Sequence, residues 1–212
     1  MANLSNTYGS TPQVNRFPEG AGIPRLFHSE RSIALIIDKT IRGGYGYLRA
    51  GTVLAKVADG MCVPYVPASV VADAVSAVGV AYVLGVVGGK IRLPAGEAAK
   101  FAVGDTIQKH GDEYETEIVV DAITHGSFYD EITTDEHAAV TAGDFVRLKD
   151  AETAVYVLDN DTDTGAGEGA KGANVPVVLS NATLYKASIF NLDNDAVTDL
   201  GGIIDGQFFI LK

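Results

Sequence analysis

The chain of 212 residues is poor in sulfur and large aromatics: it has one cysteine, two methionines and no tryptophan. A single cysteine, Cys62, excludes an intramolecular disulfide. Because Cys62 lies between Met61 and Val63, we interpret it as a buried apolar thiol. A reactive thiol is the alternative, but it needs a neighbouring base to lower its pKa, and no histidine lies near it in the sequence.

Basic residues are also scarce, with 16 Lys and Arg against 27 Asp and Glu and a net charge of −11. Phosphate contacts need clustered cations, so direct nucleic-acid binding is not expected. The longest apolar stretch, residues 77–87, is too short and too glycine-rich to cross a bilayer. The N-terminus lacks a basic segment followed by an apolar core. We therefore expect a soluble protein that is made and used without secretion and that binds neither nucleic acid nor membrane.

Signatures of catalysis are missing as well. No G-x-S-x-G motif occurs, and the histidines are His28, His110, His125 and His137, which fall in the N-terminal segment and in turns or strand ends. A zinc site at His125, Asp130 and His137 is an alternative, although their spacing matches no zinc signature. The sequence predicts a non-enzymatic protein without a cofactor.

One acidic stretch begins like a calcium loop, with Asp159, Asp161 and Asp163 alternating. The rest of the pattern departs from such a loop, because Thr164 stands where the turn glycine belongs and Ala170 where a bidentate glutamate belongs. A solvated acidic turn is favoured, and a calcium site remains the alternative.

The abundant residues are glycine, with 24 copies, and small or β-branched apolar residues, which suit short strands joined by tight turns. The pattern predicts a mainly β fold. Predicted strands before the middle of the chain cover residues 32–38, 45–49, 51–57, 62–66 and, as one continuous buried run, 78–87. Residues 68–77 fit a short helix or a loop.

Residues 88–150 contain short alternating strands with two similar turns, Gly104-Asp105 and Gly143-Asp144, and predict a small antiparallel β-barrel. A strand at 151–159 and a Gly/Asp-rich loop or linker complete the stretch 151–173. Later segments predict strands at 175–189 and 206–212, with a short helix within 191–202.

The N-terminal residues 1–31 carry three of the seven prolines and show no periodicity, which predicts an extended arm. Apolar residues are nevertheless spaced along it, so the arm is suited to docking on a partner. A terminus without a partner, or one that packs on its own domain, is the alternative.

Four phrases in a fixed order carry a resemblance. The first two are AGTVLAKVADGMCVPYVP (50–67) and AVGVAYVLGVV (77–87), and the last two are NVPVVLSNATLYKASI (174–189) and GGIIDGQFFILK (201–212). The first pair resembles the opening strands of bacteriophage head decoration proteins of the lambda type, and the second pair resembles their closing strands. The resemblance implies a discontinuous β-rich decoration-type domain of residues 32–87 plus 174–212. The 88–150 barrel would then be an insertion into it.

The resemblance also implies a function. Such a capsid decoration, or cement, protein binds the outer surface of the mature head, usually as a homotrimer, and clamps neighbouring major capsid subunits against internal DNA pressure. It would therefore be made in the host cytoplasm and be located on the virion, at the outer surface of the capsid. The arm would contact the shell through Tyr8, Arg16, Phe17, Arg25, Leu26 and Phe27.

Two other classes stay open. A virion-displayed carbohydrate-binding or adhesive β module would bind a host-surface glycan through residues 88–150. A hydrolase of the β-clip kind would need a cluster of acids and a metal.

Overall fold

A computed structural model describes residues 34–67, 79–111, 117–134, 140–180, 182–184, 188–201 and 209–211. Of these residues 48% lie in strands and 9% in helices, so the chain is mainly β, as predicted. The predicted arm at 1–31 and the segment 68–77 lie outside the described residues.

The strands follow one another with short connections, as the many turn residues predict. The first eight are β1 (Leu35–Ile41), β2 (Tyr47–Leu48), β3 (Val53–Lys56), β4 (Cys62–Pro64), β5 (Val80–Tyr82), β6 (Gly85–Val87), β7 (Lys90–Pro94) and β8 (Thr106–Lys109). The next eight are β9 (Glu117–Thr124), β10 (Tyr129–Thr134), β11 (Phe145–Leu148), β12 (Ala154–Leu158), β13 (Thr162–Asp163), β14 (Ala173–Ser180), β15 (Ala182–Leu184) and β16 (Phe209–Leu211). A 3₁₀ helix covers Glu97–Lys100, and α1 covers Asn194–Gly201.

Five strands form a closed barrel in the order β1-β14-β12-β3-β4. Its longest ladder is antiparallel and runs from Leu35 opposite Ser180 to Ile41 opposite Ala173. The barrel closes where Ile41 of β1 pairs in parallel with Cys62 of β4. The closed barrel thus consists of strands within residues 35–64 and 154–180, and the described strands of residues 88–150 belong to a second sheet.

Residues 80–148 form a seven-stranded sheet with the order β5-β11-β8-β9-β10-β7-β6. Its two end strands are separated in sequence by Val83 and Leu84 alone. Val83 N donates to Asp144 O beside β11 (2.9 Å), while Leu84 N donates to Arg92 O of β7 (2.8 Å). Since two residues span only about 7 Å, the sheet must curl until its ends meet.

The run predicted as one strand at 78–87 is therefore two strands. Its first half pairs with β11 and its second half with β7. The change of partner between Val83 and Leu84 interrupts the ladder, which the continuous apolar composition of this run does not reveal.

The barrel and the curled sheet share one hydrophobic core. Barrel residues Ile41 and Leu54 and sheet residues Ile91, Ile107 and Ile118 are all fully buried in the same cluster. Burial of such a side chain contributes about 1.5–3 kcal/mol. A second cluster lies under α1 and contains Val53, Tyr65, Ala154, Val157, Val178, Ala182, Leu184, Ile189, Ala196 and Leu200.

Glycines bring the end of β1 into backbone contact with the loop at Ala170 and with the 3₁₀ helix. A Cβ atom on Gly43 would lie 2.6 Å from the carbonyl group of Ala170, and one on Gly44 would lie 2.5 Å from Ala99 O. One on Gly172, whose φ is +69°, would overlap Ile41 O. The Gly/Asp-rich segment predicted as a loop or linker is thus a loop packed against the end of β1.

This packing predicts that Gly43→Ala lowers the free energy of unfolding by about 3 kcal/mol, because the added methyl group meets only backbone atoms, which cannot move aside singly. Urea denaturation followed by circular dichroism measures the loss. The control is Gly85→Ala in β6, where an added Cβ has no neighbour within 4 Å. Equal stability of the two variants would contradict the proposed contact.

Candidate functional site

The residues assigned to capsid contact lie outside the described part of the chain, so the structure does not locate them. They are Tyr8, Arg16, Phe17, Arg25, Leu26 and Phe27. His28 and His137 also lie outside it. The candidate sites that can be described are therefore on the barrel and the curled sheet.

Asp130 is the most constrained acid of the curled sheet, with 1% of its surface exposed. Its Oδ2 atom accepts hydrogen bonds from the backbone N–H groups of Gly96 (2.9 Å) and Ala98 (3.1 Å), and Oδ1 accepts one from Gly126 N (3.2 Å). A buried carboxylate with these partners is satisfied. Asp130 thereby joins the start of the 3₁₀ helix to the turn between β9 and β10.

His125 lies beside Asp130 in that turn. Its Nδ1 atom is 3.3 Å from Asp130 Oδ2, but the contact does not have hydrogen-bond geometry. The structure thus brings two of the three residues of the zinc alternative together. Within the described part of the chain, no three His, Cys, Asp or Glu side chains are grouped so that they could hold a metal ion.

A cavity of about 310 Å³ opens next to this pair. It is surrounded by the turn after β9, by Gly96 before the 3₁₀ helix and by the loop that contains Gly167. The last two lie side by side, because Gly96 approaches Gly167 closely. Its lining consists of Gly96, His125, Gly126, Ser127, Asp130 and Glu168. We call this the hairpin cavity. Sequence reasoning missed it because its walls come from three separate segments.

Two aromatic residues directly follow the lining residue Ser127. Phe128 is 88% exposed, more than any other large apolar side chain in the described residues. Tyr129 is 38% exposed, and the Arg92 guanidinium lies 4.6 Å from its ring centroid. A phenylalanine so exposed gains none of the free energy that burial would supply.

The acidic turn at 159–163 is held by the barrel's own groups. Asp161 accepts hydrogen bonds from the Tyr47 hydroxyl (2.6 Å) and from Ala50 N (2.8 Å), and the Tyr47 bond lowers the pKa of this carboxyl. Asp163 accepts one from Gly165 N (2.9 Å), and Asp159 is buried. The carboxylates of Asp161 and Asp163 thus bind separate parts of the chain, which favours the structural interpretation of the turn.

A third group of charges lies between the barrel and the sheet. Arg42, which is 8% exposed, forms ion pairs with Asp59 of the barrel and with Asp105 of the sheet. Burial acts against the charge of Arg42, but hydrogen bonds from its guanidinium to the two carboxylates raise its pKa above the ordinary value. The charge of Arg42 is thus compensated by two carboxylates inside the protein. Because Asp59 belongs to the barrel and Asp105 to the curled sheet, these ion pairs hold the two together at their junction.

No family model matches this chain, and neither a curated protein nor a solved structure matches it. Among the residues described, no helix is long and apolar enough to cross a membrane. The function must therefore be argued from the residues and their arrangement.

Cys62 is fully buried, and burial raises the pKa of its thiol to about 11. Because only the thiolate attacks disulfide reagents, we expect no reaction with Ellman's reagent at pH 7.5 until urea unfolds the chain. The control is Cys62→Ser combined with Val103→Cys, since position 103 is 65% exposed. Labelling of folded wild type as fast as that of the control would show that Cys62 is accessible.

Asp130→Ala should lower the free energy of unfolding by about 3 kcal/mol, because it leaves three backbone N–H groups without their acceptor. Asp121→Ala is the control, since Asp121 is an exposed acid on β9. Thermal melting of both variants gives the comparison. Similar melting temperatures would mean that Asp130 does not anchor the turn.

Proposed function

We propose that this chain is a decoration protein of a bacteriophage head, which binds the outer surface of the mature capsid and clamps neighbouring major capsid subunits. The proposal includes a homotrimer on the lattice, a location on the virion and a role without catalysis. The alternative is a virion-displayed carbohydrate-binding or adhesive β module.

The observation that carries the proposal is how the resembling phrases fold. Residues 50–67 contribute β3 and β4, and residues 174–189 contain most of β14. These strands belong to the same closed barrel, with β12 paired between β3 and β14. These two phrases, about 110 residues apart in sequence, therefore contribute strands to one unit in space, which is what a decoration domain with an insertion requires.

Two phrases do not follow this arrangement. Residues 77–87 supply β5 and β6 to the curled sheet, and the described strand of residues 201–212, β16, pairs with β15 in a separate two-stranded sheet. The decoration-type unit is therefore best defined as the barrel of residues 35–64 and 154–180, and the insertion as the sheet of residues 80–148.

The physical basis of capsid stabilisation is linkage. A protein that binds the expanded shell and not its separated subunits stabilises the shell by its binding free energy at every occupied site. Many weak sites on one lattice add up to a large effect. An apolar-spaced arm that becomes ordered on contact allows recognition of a surface that exists only after assembly.

The test mixes the full-length chain with expanded heads of its phage that lack the protein, and measures co-sedimentation. We expect saturable binding at a fixed ratio to the major capsid protein, and heads that then withstand higher temperature and chelation of divalent ions. Unexpanded heads serve as the reference and should bind much less.

A variant with Phe17→Ala, Leu26→Ala and Phe27→Ala should bind heads at least about tenfold more weakly, because these residues are the proposed apolar anchors of the arm. Phe128→Ala, which removes an exposed aromatic side chain from the curled sheet, is the matched control and should bind normally. Absence of binding by wild type, or equal binding to unexpanded heads, would refute the proposed function.

A further inference from the structure

We infer that the barrel meets the major capsid protein with the side that carries α1, and that the Phe128 turn of the curled sheet points away from the shell. This inference rests on the proposed function, because it names the surface with which the clamp contacts its partner. We call the exposed side of Asn194–Gly201, together with Ala34, the α1 face.

The α1 face and the curled sheet lie on opposite sides of the same barrel strands. Successive side chains of a strand point to opposite faces. In β3 and β12, Leu54 and Leu158 belong to the core shared with the curled sheet, whereas their neighbours Val53 and Val157 belong to the second cluster under α1. No described residue of the curled sheet belongs to that second cluster. The barrel wall therefore separates α1 from the insertion.

The arm is attached on the α1 side. Ala34, the first described residue, packs against the second cluster, and β1 (Leu35–Ile41) then extends over about 20 Å. Beyond its far end, Gly43 and Gly44 contact the glycine loop and the 3₁₀ helix. The hairpin cavity, which the Phe128 turn borders, is lined by residues of these two segments. The arm thus begins at one end of β1, and the Phe128 turn lies near the other.

The reach of the arm relates this arrangement to the shell. Phe27 is the last of the proposed anchors, and Ala34 follows it by seven residues. A segment of this length spans at most about 25 Å when fully extended. Running back along β1 would use about 20 Å of that reach. The side that can approach the capsid while Phe27 is bound there is therefore the α1 face.

The helix is held firmly enough to serve as a contact surface. Asp193 Oδ1 accepts a hydrogen bond from the Tyr65 hydroxyl (2.9 Å), and Asp199 Oδ2 accepts one from Ala154 N (2.9 Å), so both ends of α1 are joined to the barrel. On its outer side Val197 is 37% exposed. A surface that is fixed before binding loses little conformational entropy when a partner covers it.

The experiment measures which side the shell covers. In full-length Cys62→Ser protein, single cysteines replace Val197 on the α1 face and Val103 or Phe128 on the curled sheet, all of which are exposed. Each variant reacts with a polyethylene glycol maleimide, free and bound to expanded heads. We expect Val197→Cys to react at least about tenfold more slowly on heads, because an interface excludes the reagent. Val103→Cys and Phe128→Cys should react as in the free protein.

A second, matched pair tests the contact by binding. Val197→Arg should weaken co-sedimentation with expanded heads at least about tenfold, because it places a bulky charge in the contact, whereas Val103→Arg should bind as wild type does. Unchanged thermal melting confirms that both variants are folded.

The outcomes separate the two proposals. If the protein binds heads but Val197→Cys stays fully reactive, or if Val103→Cys and Phe128→Cys become protected, the inferred orientation is overturned and the proposed function stands. If wild type does not co-sediment with heads, the proposed function is refuted and the inference with it.

Discussion

The close approach of the chain at Gly43 and Gly44 to two other backbone segments is the contact on which the arrangement depends. Gly43 faces the loop at Ala170, and Gly44 faces Ala99 at the 3₁₀ helix, both at distances that exclude a Cβ atom. Because β1 ends just before these residues, the same contact fixes the barrel, the glycine loop and the curled sheet relative to one another. A side chain at either position would separate the shared core that these elements enclose.

Polar groups determine the alignment of this junction. Arg42 precedes the two glycines and reaches Asp59 on one sheet and Asp105 on the other. The Tyr45 hydroxyl donates to Lys100 O, and the Lys100 ammonium donates to Val80 O (2.9 Å). The bonds from Arg42 to Asp105 and from Tyr45 to Lys100 O cross between the barrel and the curled sheet, so apolar burial supplies the attraction and these hydrogen bonds select the geometry.

Local patterns in the sequence were sufficient for the mainly β fold and for individual turns. Gly104-Asp105 and Gly143-Asp144 were predicted as similar turns, and both glycines have positive φ. In each, the aspartate accepts a hydrogen bond from the backbone three residues earlier, at Ala102 and Thr141. These features depend on neighbouring residues alone, which is why they can be read from the sequence.

Pairing between distant segments could not be predicted in the same way. The pattern predicted a small barrel within residues 88–150, but it did not predict the closed barrel of β1, β14, β12, β3 and β4, whose closure needs β12 to lie between β3 and β14. Nothing in the apolar pattern of β12 specifies those partners. The hairpin cavity was missed for the same reason, since its lining residue Glu168 belongs to a segment that local composition described only as a loop or linker.

The path of the chain explains how one sheet can be added without disturbing the other. The chain leaves the barrel after β4 and returns at β12, and the first and last strands of the insertion, β5 and β11, are direct neighbours, with Tyr82 opposite Phe145. Val66 N also donates to Ala151 O (2.8 Å), so the exit and the return are joined by a hydrogen bond. An insertion whose ends lie this close adds little loop entropy to the barrel.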